Sequence, residues 1–187
     1  MNCILLLANY RTGSSSYSHV LANRKILEYP EPHLFPEKWA SLQEAVDSGK
    51  KFVIKFMPDQ IEKFELYQKI VKSNCYKIKL IRENKLEQIA SYYVASMTDI
   101  WNDHSNEFKR GKEYTVNISL DQIKTSINII TNNDFLLENL DIKFDNEVTY
   151  ERLVEQGLLT SGTVKLTTPT NYKIIKQRIE YEYNKSR

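Results

Sequence analysis

The chain has 187 residues, of which 41% are hydrophobic and 27% are charged, a balance that fits one folded domain and excludes a disordered protein. Its net charge of +2 is too small to indicate nucleic-acid binding, and no apolar run approaches the about 20 residues that a membrane-spanning helix needs. We therefore expect a single cytoplasmic domain over residues 1–187 that binds no nucleic acid and has no membrane span.

The first half of the chain alternates apolar runs with segments of helical spacing. The predicted strands are residues 2–9, 52–56 and 76–81, and the predicted helices are residues 14–23, 37–47, 59–72 and 85–101. Asp59 is expected to cap the third of these helices. Residues 28–36 contain three prolines and are predicted to form an irregular loop. Cys3 and Cys75 lie in or beside strands and are predicted to be buried, reduced thiols.

The second half continues the same alternation. Residues 102–112 are polar and predict a mobile loop or lid, followed by a short strand at 114–118 and a helix at 120–137. A fourth main strand at 148–150 enters a helix at 151–156, and the tail (159–187) ends in a polar helix at 171–184. This order predicts an α/β fold with a central, mainly parallel sheet flanked by helices. The tail is expected either to cover a bound nucleotide or to contribute to a homodimer.

The turn between the first strand and the first helix has the composition of an anion-binding loop. A glycine lets backbone N–H groups converge, the new helix adds its free N–H groups and the positive end of its dipole, and an arginine adds charge. The candidate ligands are Arg11, Thr12, Gly13, Ser14, Ser15 and Ser16. The pattern lacks the lysine of a GxxxxGK[ST] loop and the second glycine of GxGxxG, which disfavours ATP and NAD as ligands.

The segment Arg-Thr-Gly-Ser-Ser at residues 11–15, directly after an apolar strand, resembles the [KR]-x-G-[ST]-[ST] phosphosulfate loop of sulfotransferases. The nearest patterns are those of bacterial trehalose 2-sulfotransferase-like and carbohydrate sulfotransferases. The resemblance implies a P-loop-like strand–loop–helix at the N-terminus. It also implies 3′-phosphoadenosine 5′-phosphosulfate (PAPS) as the sulfuryl donor, with no metal, and a hydroxyl of a sugar, lipid or small metabolite as the acceptor.

A second block carries the resemblance further along the chain. Family members place an arginine at the end of a later strand and a serine on the next helix, and both bind the donor's 3′-phosphate. Arg82 and Ser91 fall at these positions, nine residues apart, which is one more than in the animal cytosolic enzymes. Ser91 lies on the polar flank of the predicted helix, and residues 150–153 (Tyr-Glu-Arg-Leu) are similar to the family's late YExL segment.

The resemblance also implies a catalytic base, since the acceptor hydroxyl must lose its proton. The bacterial group carries a glutamate just after the first helix, and Glu28 fits this position best. Glu31, His33 and Glu37 lie in the same loop and stay open as alternatives, with His33 the next choice. Arg11 cannot give up a proton and is expected to act electrostatically. Lys55, in a predicted strand, is expected to extend its ammonium to the sheet edge more than to the sulfuryl group.

Two other functions are compatible with the sequence. A small nucleotide or metabolite kinase would share the strand–loop–helix plan, although the loop lacks its lysine. A non-catalytic protein that binds 3′-phosphoadenosine nucleotides would keep the fold without the chemistry.

Overall fold

A computed structural model describes residues 3–23, 26–99, 101, 113–159 and 169–186. The chain forms two compact units: the first comprises residues 1–83 and 133–159, and the second comprises residues 84–132 and 160–187. The assignment of the whole chain to one domain stays a prediction. Within the described ranges, no helix is long and apolar enough to cross a membrane.

The first unit holds a single sheet of five parallel strands in the order β2-β3-β1-β4-β5. The strands are β1 (Cys3–Ala8), β2 (Leu27–Pro30), β3 (Phe52–Phe56), β4 (Tyr76–Ile81) and β5 (Asn146–Thr149). Numbered along the chain, the helices are α1 (Ser14–Ala22), α2 (Pro36–Ser48), α3 (Glu65–Lys72), α4 (Lys85–Thr98), α5 (Leu120–Glu138), α6 (Tyr150–Glu155) and α7 (Tyr172–Lys185). The α/β fold with a central parallel sheet is confirmed.

Alternate residues of the central strand β1 enter two hydrophobic cores, because successive side chains of a strand point to opposite faces. Leu5 and Leu7 pack into a core with α2 and α3, and both are fully buried. Leu6 and Ala8 pack on the other face with Tyr17 of α1 and side chains of α6. Both faces are therefore covered, which explains why the strand is apolar throughout.

The connections place the loop after β1 at a switch point of the sheet. The chain passes from β1 over α1 to β2 on one side of β1, and later from β3 over α3 to β4 on the other side. Since all strands are parallel, their C-terminal ends meet at one edge, which we call the carboxyl edge. Ligands of open α/β sheets bind at such a switch point, outside the carboxyl ends of the strands.

The prediction of an irregular loop over residues 28–36 is wrong, because β2 occupies its first part. Each proline takes a position that needs no backbone N–H donor. Pro30 ends β2, which is an edge strand, Pro32 opens a 3₁₀ turn (Pro32–Leu34), and Pro36 is the first residue of α2. The three prolines therefore delimit regular elements, of which the sequence alone indicated only α2.

Three boundaries also differ from the predictions. Asp59 does not cap α3: it lies in a separate 3₁₀ turn (Pro58–Gln60), and Phe64 precedes the helix. The long helix α4 ends at Thr98, since Asp99 adopts a left-handed conformation with φ of 56°. Residues 114–118 form no strand. The predicted lid at residues 102–112 lies outside the described residues.

Cys3 and Cys75 are joined by a disulfide, and their Cα atoms are 4.9 Å apart. The prediction of two reduced thiols is therefore wrong. The cysteines are 72 residues apart in the sequence, and only the pairing of β1 with β4 brings them together.

The second unit is held by polar contacts among α4, α7 and the segment between α4 and α5. The Glu87 carboxylate of α4 accepts hydrogen bonds from Tyr172 Oη (2.7 Å) and Lys176 Nζ (2.8 Å) of α7. The amide of Asn171 bonds both backbone groups of Val116, at 3.1 Å and 2.7 Å. These side-chain bonds satisfy the backbone around Val116, which explains why the predicted strand does not form there.

Candidate functional site

The loop after β1 has a backbone that polar side chains hold in place. Asn9 is fully buried; its carboxamide donates to Asp134 (2.9 Å) and accepts from the backbone N–H of Tyr10 (2.6 Å). The Thr12 hydroxyl is also buried and donates to the Asn9 carbonyl (2.9 Å). Arg11 adopts a left-handed conformation with φ of 58°. Thr12, predicted as a ligand, therefore uses its hydroxyl to shape the loop.

Gly13 begins α1 in a conformation that favours glycine. Its φ is 75°, and a Cβ atom at this position would lie 2.8 Å from Tyr150 Cδ2 and 3.1 Å from Leu159 Cδ1. The first intrahelical bond runs from Tyr17 N to Gly13 O (3.0 Å). The N–H groups of residues 14–16 therefore have no acceptor within the helix, and they point outward at its positive end. Ser14 is buried, whereas Ser15 and Ser16 are exposed.

Lys55, on β3 beside β1, places a buried ammonium next to this loop. The residue is 1% exposed, and its Nζ donates to Glu31 Oε2 (2.5 Å) and Ser15 Oγ (3.4 Å). Burial lowers the pKa of Lys55, the Glu31 carboxylate opposes this lowering, and the nearby Arg11 adds to it. Its ammonium does not reach solvent at the sheet edge, contrary to the prediction. Lys55 thus forms a buried ion pair with Glu31 beside the loop.

Glu31 directly follows β2 at the carboxyl edge and is held there from two directions. Its backbone N–H donates to the Lys55 carbonyl (2.9 Å), and Gln60 Nε2 contacts the carboxylate at 3.5 Å. The residue adopts a left-handed conformation with φ of 49°, which turns its side chain toward Lys55. Glu31 thus joins the loop after β1 through the chain Glu31–Lys55–Ser15.

Arg82 directly follows β4 and borders the loop on the other side. It is 8% exposed, and its Nη1 donates to the Arg11 carbonyl at 3.0 Å. The guanidinium lies over the ring of Tyr150 at 4.6 Å, and the same ring contacts Gly13. The buried Nε of Arg82 has no acceptor among the described residues. Buried donors are nearly always paired, so an unpaired Nε beside the loop after β1 is compatible with a negatively charged ligand there.

The other predicted base candidates face away from this loop or lie exposed. Both oxygens of Glu28 are engaged by α1, through Ser18 Oγ (2.5 Å) and His19 Nδ1 (3.1 Å). His33 packs on the opposite face of the sheet, where its Nδ1 lies 2.7 Å from the Tyr67 hydroxyl. Burial lowers the pKa of His33 and raises that of Tyr67. Glu37 is exposed in the first turn of α2.

Ser91 belongs to the second unit. It is 5% exposed on α4, so it is not the solvated helix residue that its polar flank would allow. The Asn84 side chain caps the same helix by accepting from Glu87 N at 3.1 Å. The pairing of Ser91 with Arg82 around one phosphate stays a prediction.

The carboxyl edge of the first unit therefore collects charged groups from four neighbouring strands. In sheet order they are Glu31 after β2, Lys55 on β3, Arg11 after β1 and Arg82 after β4. Neighbouring strands are about 4.8 Å apart, so these groups span a row of roughly 15 Å. Sequence reasoning missed the pairing of Glu31 with Lys55, which depends on β2 lying next to β3.

A scan against protein-family models finds no match for this chain, and a search of curated proteins finds none either. Within the described residues, no three His, Cys, Asp or Glu side chains cluster as metal ligands. The expectation of a reaction without a metal stays a prediction.

Proposed function

We propose that this chain transfers a sulfuryl group from PAPS to a hydroxyl. The observation that carries the proposal is the row of three cations and one carboxylate along the carboxyl edge, centred on the loop before α1. A doubly phosphorylated donor requires cations at two points, and Lys55 and Arg82 lie on opposite sides of the loop. The transfer itself requires a group that takes the acceptor's proton, and Glu31 supplies a carboxylate at the same edge.

The residues around the loop would hold the phosphosulfate end of the donor. The N–H groups of residues 14–16 and the Ser15 hydroxyl supply hydrogen bonds, and Lys55 and Arg11 supply charge. The donor contributes the sulfuryl group and the bond from sulfur to the bridging oxygen, which breaks in the transfer. Lys55 and the α1 N–H groups then stabilise the negative charge on that oxygen, in a site that is already organised for it.

Arg82 would bind the 3′-phosphate end of the donor. It follows β4, on the side of the β1 loop opposite β3, which carries Lys55, and its buried Nε has no acceptor among the described residues. The guanidinium also makes a cation–π contact with Tyr150, because Arg82 Cζ lies 4.6 Å from the ring centroid.

Glu31 is our choice for the base, in place of Glu28. A base must come within hydrogen-bond reach of the acceptor hydroxyl, and the acceptor must approach the sulfuryl group from the side opposite the leaving oxygen. Glu31 contacts Lys55, whose ammonium also reaches Ser15, whereas the Glu28 carboxylate is bound by α1. The proton of the acceptor passes to the Glu31 carboxylate as the new sulfur–oxygen bond forms.

The test is nucleotide specificity, measured by isothermal titration of adenosine 3′,5′-bisphosphate and adenosine 5′-phosphate. We expect Arg82→Ala to weaken the bisphosphate at least about tenfold and the monophosphate little, because only the bisphosphate carries a 3′ group. Lys50→Ala is the matched control: this exposed lysine precedes β3, at the opposite edge of the sheet. Equal losses for the two nucleotides would contradict the role of Arg82.

The same titration separates the two other functions. A kinase would bind ATP with magnesium more tightly than the bisphosphate, and that result would overturn the proposal. Binding of the bisphosphate with no turnover of PAPS on any hydroxyl acceptor would support a non-catalytic binding protein instead.

A further inference from the structure

The loop after β1 has a backbone conformation that its own residue types do not favour. Arg11 is left-handed with φ of 58°, and a residue other than glycine keeps such a conformation only where its surroundings fix it. The Thr12 hydroxyl holds the Asn9 carbonyl at 2.9 Å, before the left-handed residue. Arg82 Nη1 holds the Arg11 carbonyl at 3.0 Å. The loop is therefore fixed by hydrogen bonds from side chains.

A further bond holds the loop through the Asn9 side chain, and its partner lies 125 residues further along the chain. Asn9 is fully buried, and its Nδ2 donates to Asp134 Oδ1 at 2.9 Å. An ionised carboxylate can only accept hydrogen bonds, so it fixes Nδ2 toward α5 and leaves Oδ1 for the backbone N–H of Tyr10, at 2.6 Å. Asp134 thereby determines the orientation of the amide that anchors the start of the loop.

The C-terminal part of α5 holds Asp134 on a rigid element. Its neighbour Asn133 is 3% exposed, and Asn133 Oδ1 accepts from the backbone N–H of Asp59 at 3.3 Å. Leu137, in the next turn of the helix, is 2% exposed and packs in the same core as Leu5. Packed helices hold functional groups more precisely than loops do. The Asp134 carboxylate is therefore a fixed point for the loop.

Asp134 is not itself a candidate ligand for the anion. Leu137 places this part of α5 on the face of the sheet that carries Leu5 and Leu7. The helix α1, with the N–H groups that would bind the anion, packs on the other face through Tyr17. A carboxylate beside a bound anion would also repel it. Asp134 therefore acts on the loop through Asn9.

We propose that Asp134 is a positioning residue for anion binding by the loop after β1. It holds the Asn9 amide in the orientation that bonds the Tyr10 N–H, and this keeps the N–H groups of residues 14–16 in place before the ligand arrives. A loop organised in advance needs no rearrangement when the anion binds. The inference rests on the proposed function for the identity of that anion, which is the phosphosulfate end of the donor.

The experiment measures the affinity of Asp134 variants for inorganic pyrophosphate, adenosine 5′-phosphate and adenosine 3′,5′-bisphosphate. Isothermal titration is run at a temperature at which urea unfolding shows each variant to be folded. We expect Asp134→Leu to weaken all three ligands about tenfold, which is roughly the loss of one hydrogen bond to a charged group. The equal loss distinguishes this variant from Arg82→Ala, which should weaken mainly the bisphosphate.

Three more variants test the route through Asn9. Asp134→Asn keeps an oxygen that can accept from Asn9 Nδ2, so it should weaken the ligands by less than about threefold. The double variant Asn9→Leu/Asp134→Leu should bind no more weakly than Asn9→Leu alone, because two residues that act through one contact are not additive. The double variant also leaves neither partner of that contact unpaired, so it serves as the test if Asp134→Leu does not fold. Glu138→Ala is the matched control, since it removes an exposed carboxylate at the last residue of α5.

Unchanged affinity for pyrophosphate in Asp134→Leu, or in the double variant where only that one folds, would overturn the inference. So would a loss of the same size in Glu138→Ala, or additive losses in the double variant. A lower urea midpoint with unchanged affinities would show a purely structural role instead.

Pyrophosphate separates failure of this inference from failure of the proposed function. If all three ligands bind the wild type and the Asp134 variants bind them equally well, only the role of Asp134 is wrong. If pyrophosphate binds with the expected pattern and neither nucleotide binds, the proposed function is wrong and Asp134 still positions an anion-binding loop. If the wild type binds none of the three, both are wrong.

Discussion

Replacement of Gly13 by alanine separates two reasons why the loop needs glycine. One is the backbone, with φ of 75°, and the other is space, since a Cβ would lie 2.8 Å from Tyr150 Cδ2 and 3.1 Å from Leu159 Cδ1. Gly49 and Gly157 provide matched controls. Their φ values are 68° and 69°, but a Cβ at either position meets no atom of the described residues within 4 Å.

The controls fix the size of the backbone effect. A left-handed conformation costs an L-residue about 1–2 kcal/mol. Alanine also reduces the conformational entropy of the unfolded chain, which stabilises the folded state by about 0.4–1 kcal/mol. Gly49→Ala and Gly157→Ala should therefore lower the free energy of unfolding by about 1 kcal/mol. Gly13→Ala adds overpacking against a ring and should cost about 1–3 kcal/mol more, or roughly 2–4 kcal/mol in total.

The assay is urea unfolding followed by tryptophan fluorescence in a Trp101→Phe background, so that Trp39 reports on the first unit. In a Tyr150→Ala background, the total cost of Gly13→Ala should fall toward that of Gly49→Ala, while the contact with Leu159 Cδ1 remains. The reasoning is refuted if Gly13→Ala costs no more than Gly49→Ala, or if truncation of Tyr150 leaves its cost unchanged.

Three further predictions concern the carboxyl edge and its neighbourhood. Glu31→Gln should lower turnover of PAPS about 100-fold or more, whereas Glu28→Gln should leave it nearly unchanged. Steady-state kinetics with one acceptor compares the two variants. A larger loss in Glu28→Gln would instead assign the base to Glu28. Lys55→Met should weaken adenosine 3′,5′-bisphosphate at least about tenfold in isothermal titration, and unchanged affinity would remove Lys55 from the site. Burial lowers the pKa of His33 below its ordinary value of 6.5. As the pH falls through 6.5, the unfolded state therefore binds more protons than the folded state, and the free energy of unfolding decreases. Melting temperatures between about pH 7 and about pH 5 should therefore drop more in the wild type than in His33→Gln, and parallel curves would contradict this.

The sequence was sufficient for features that depend on local pattern. The apolar runs of β1, β3 and β4 and the loop with Gly13 are contiguous in the sequence, so they can be recognised without knowing the order of the strands. The sequence does not predict β2, because the three prolines of residues 28–36 indicate an irregular loop. Only the position of β2 at the edge of the sheet makes Pro30 acceptable in a strand.

Features that depend on strand order could not be derived from the sequence. The expectation that Glu28 is the base rests on its position after the first helix in the resemblance, whereas strand order determines which carboxylate lies near Lys55. Glu28 lies within β2 and points to α1, and Glu31 follows the strand and meets Lys55. The disulfide between Cys3 and Cys75 has the same origin, since it reflects the pairing of β1 with β4.

On the proposed mechanism, the pair of Lys55 and Glu31 would couple donor binding to release of the base. Burial lowers the pKa of Lys55, and the Glu31 carboxylate opposes that lowering. A phosphosulfate group at the loop would attract the same ammonium, which already lies 3.4 Å from Ser15 Oγ. If Lys55 turned toward that anion, it would release the Glu31 carboxylate to accept a hydrogen bond from the acceptor hydroxyl. On this account Glu31→Gln removes a competitor for Lys55, so it should not weaken the bisphosphate even though it abolishes most of the turnover.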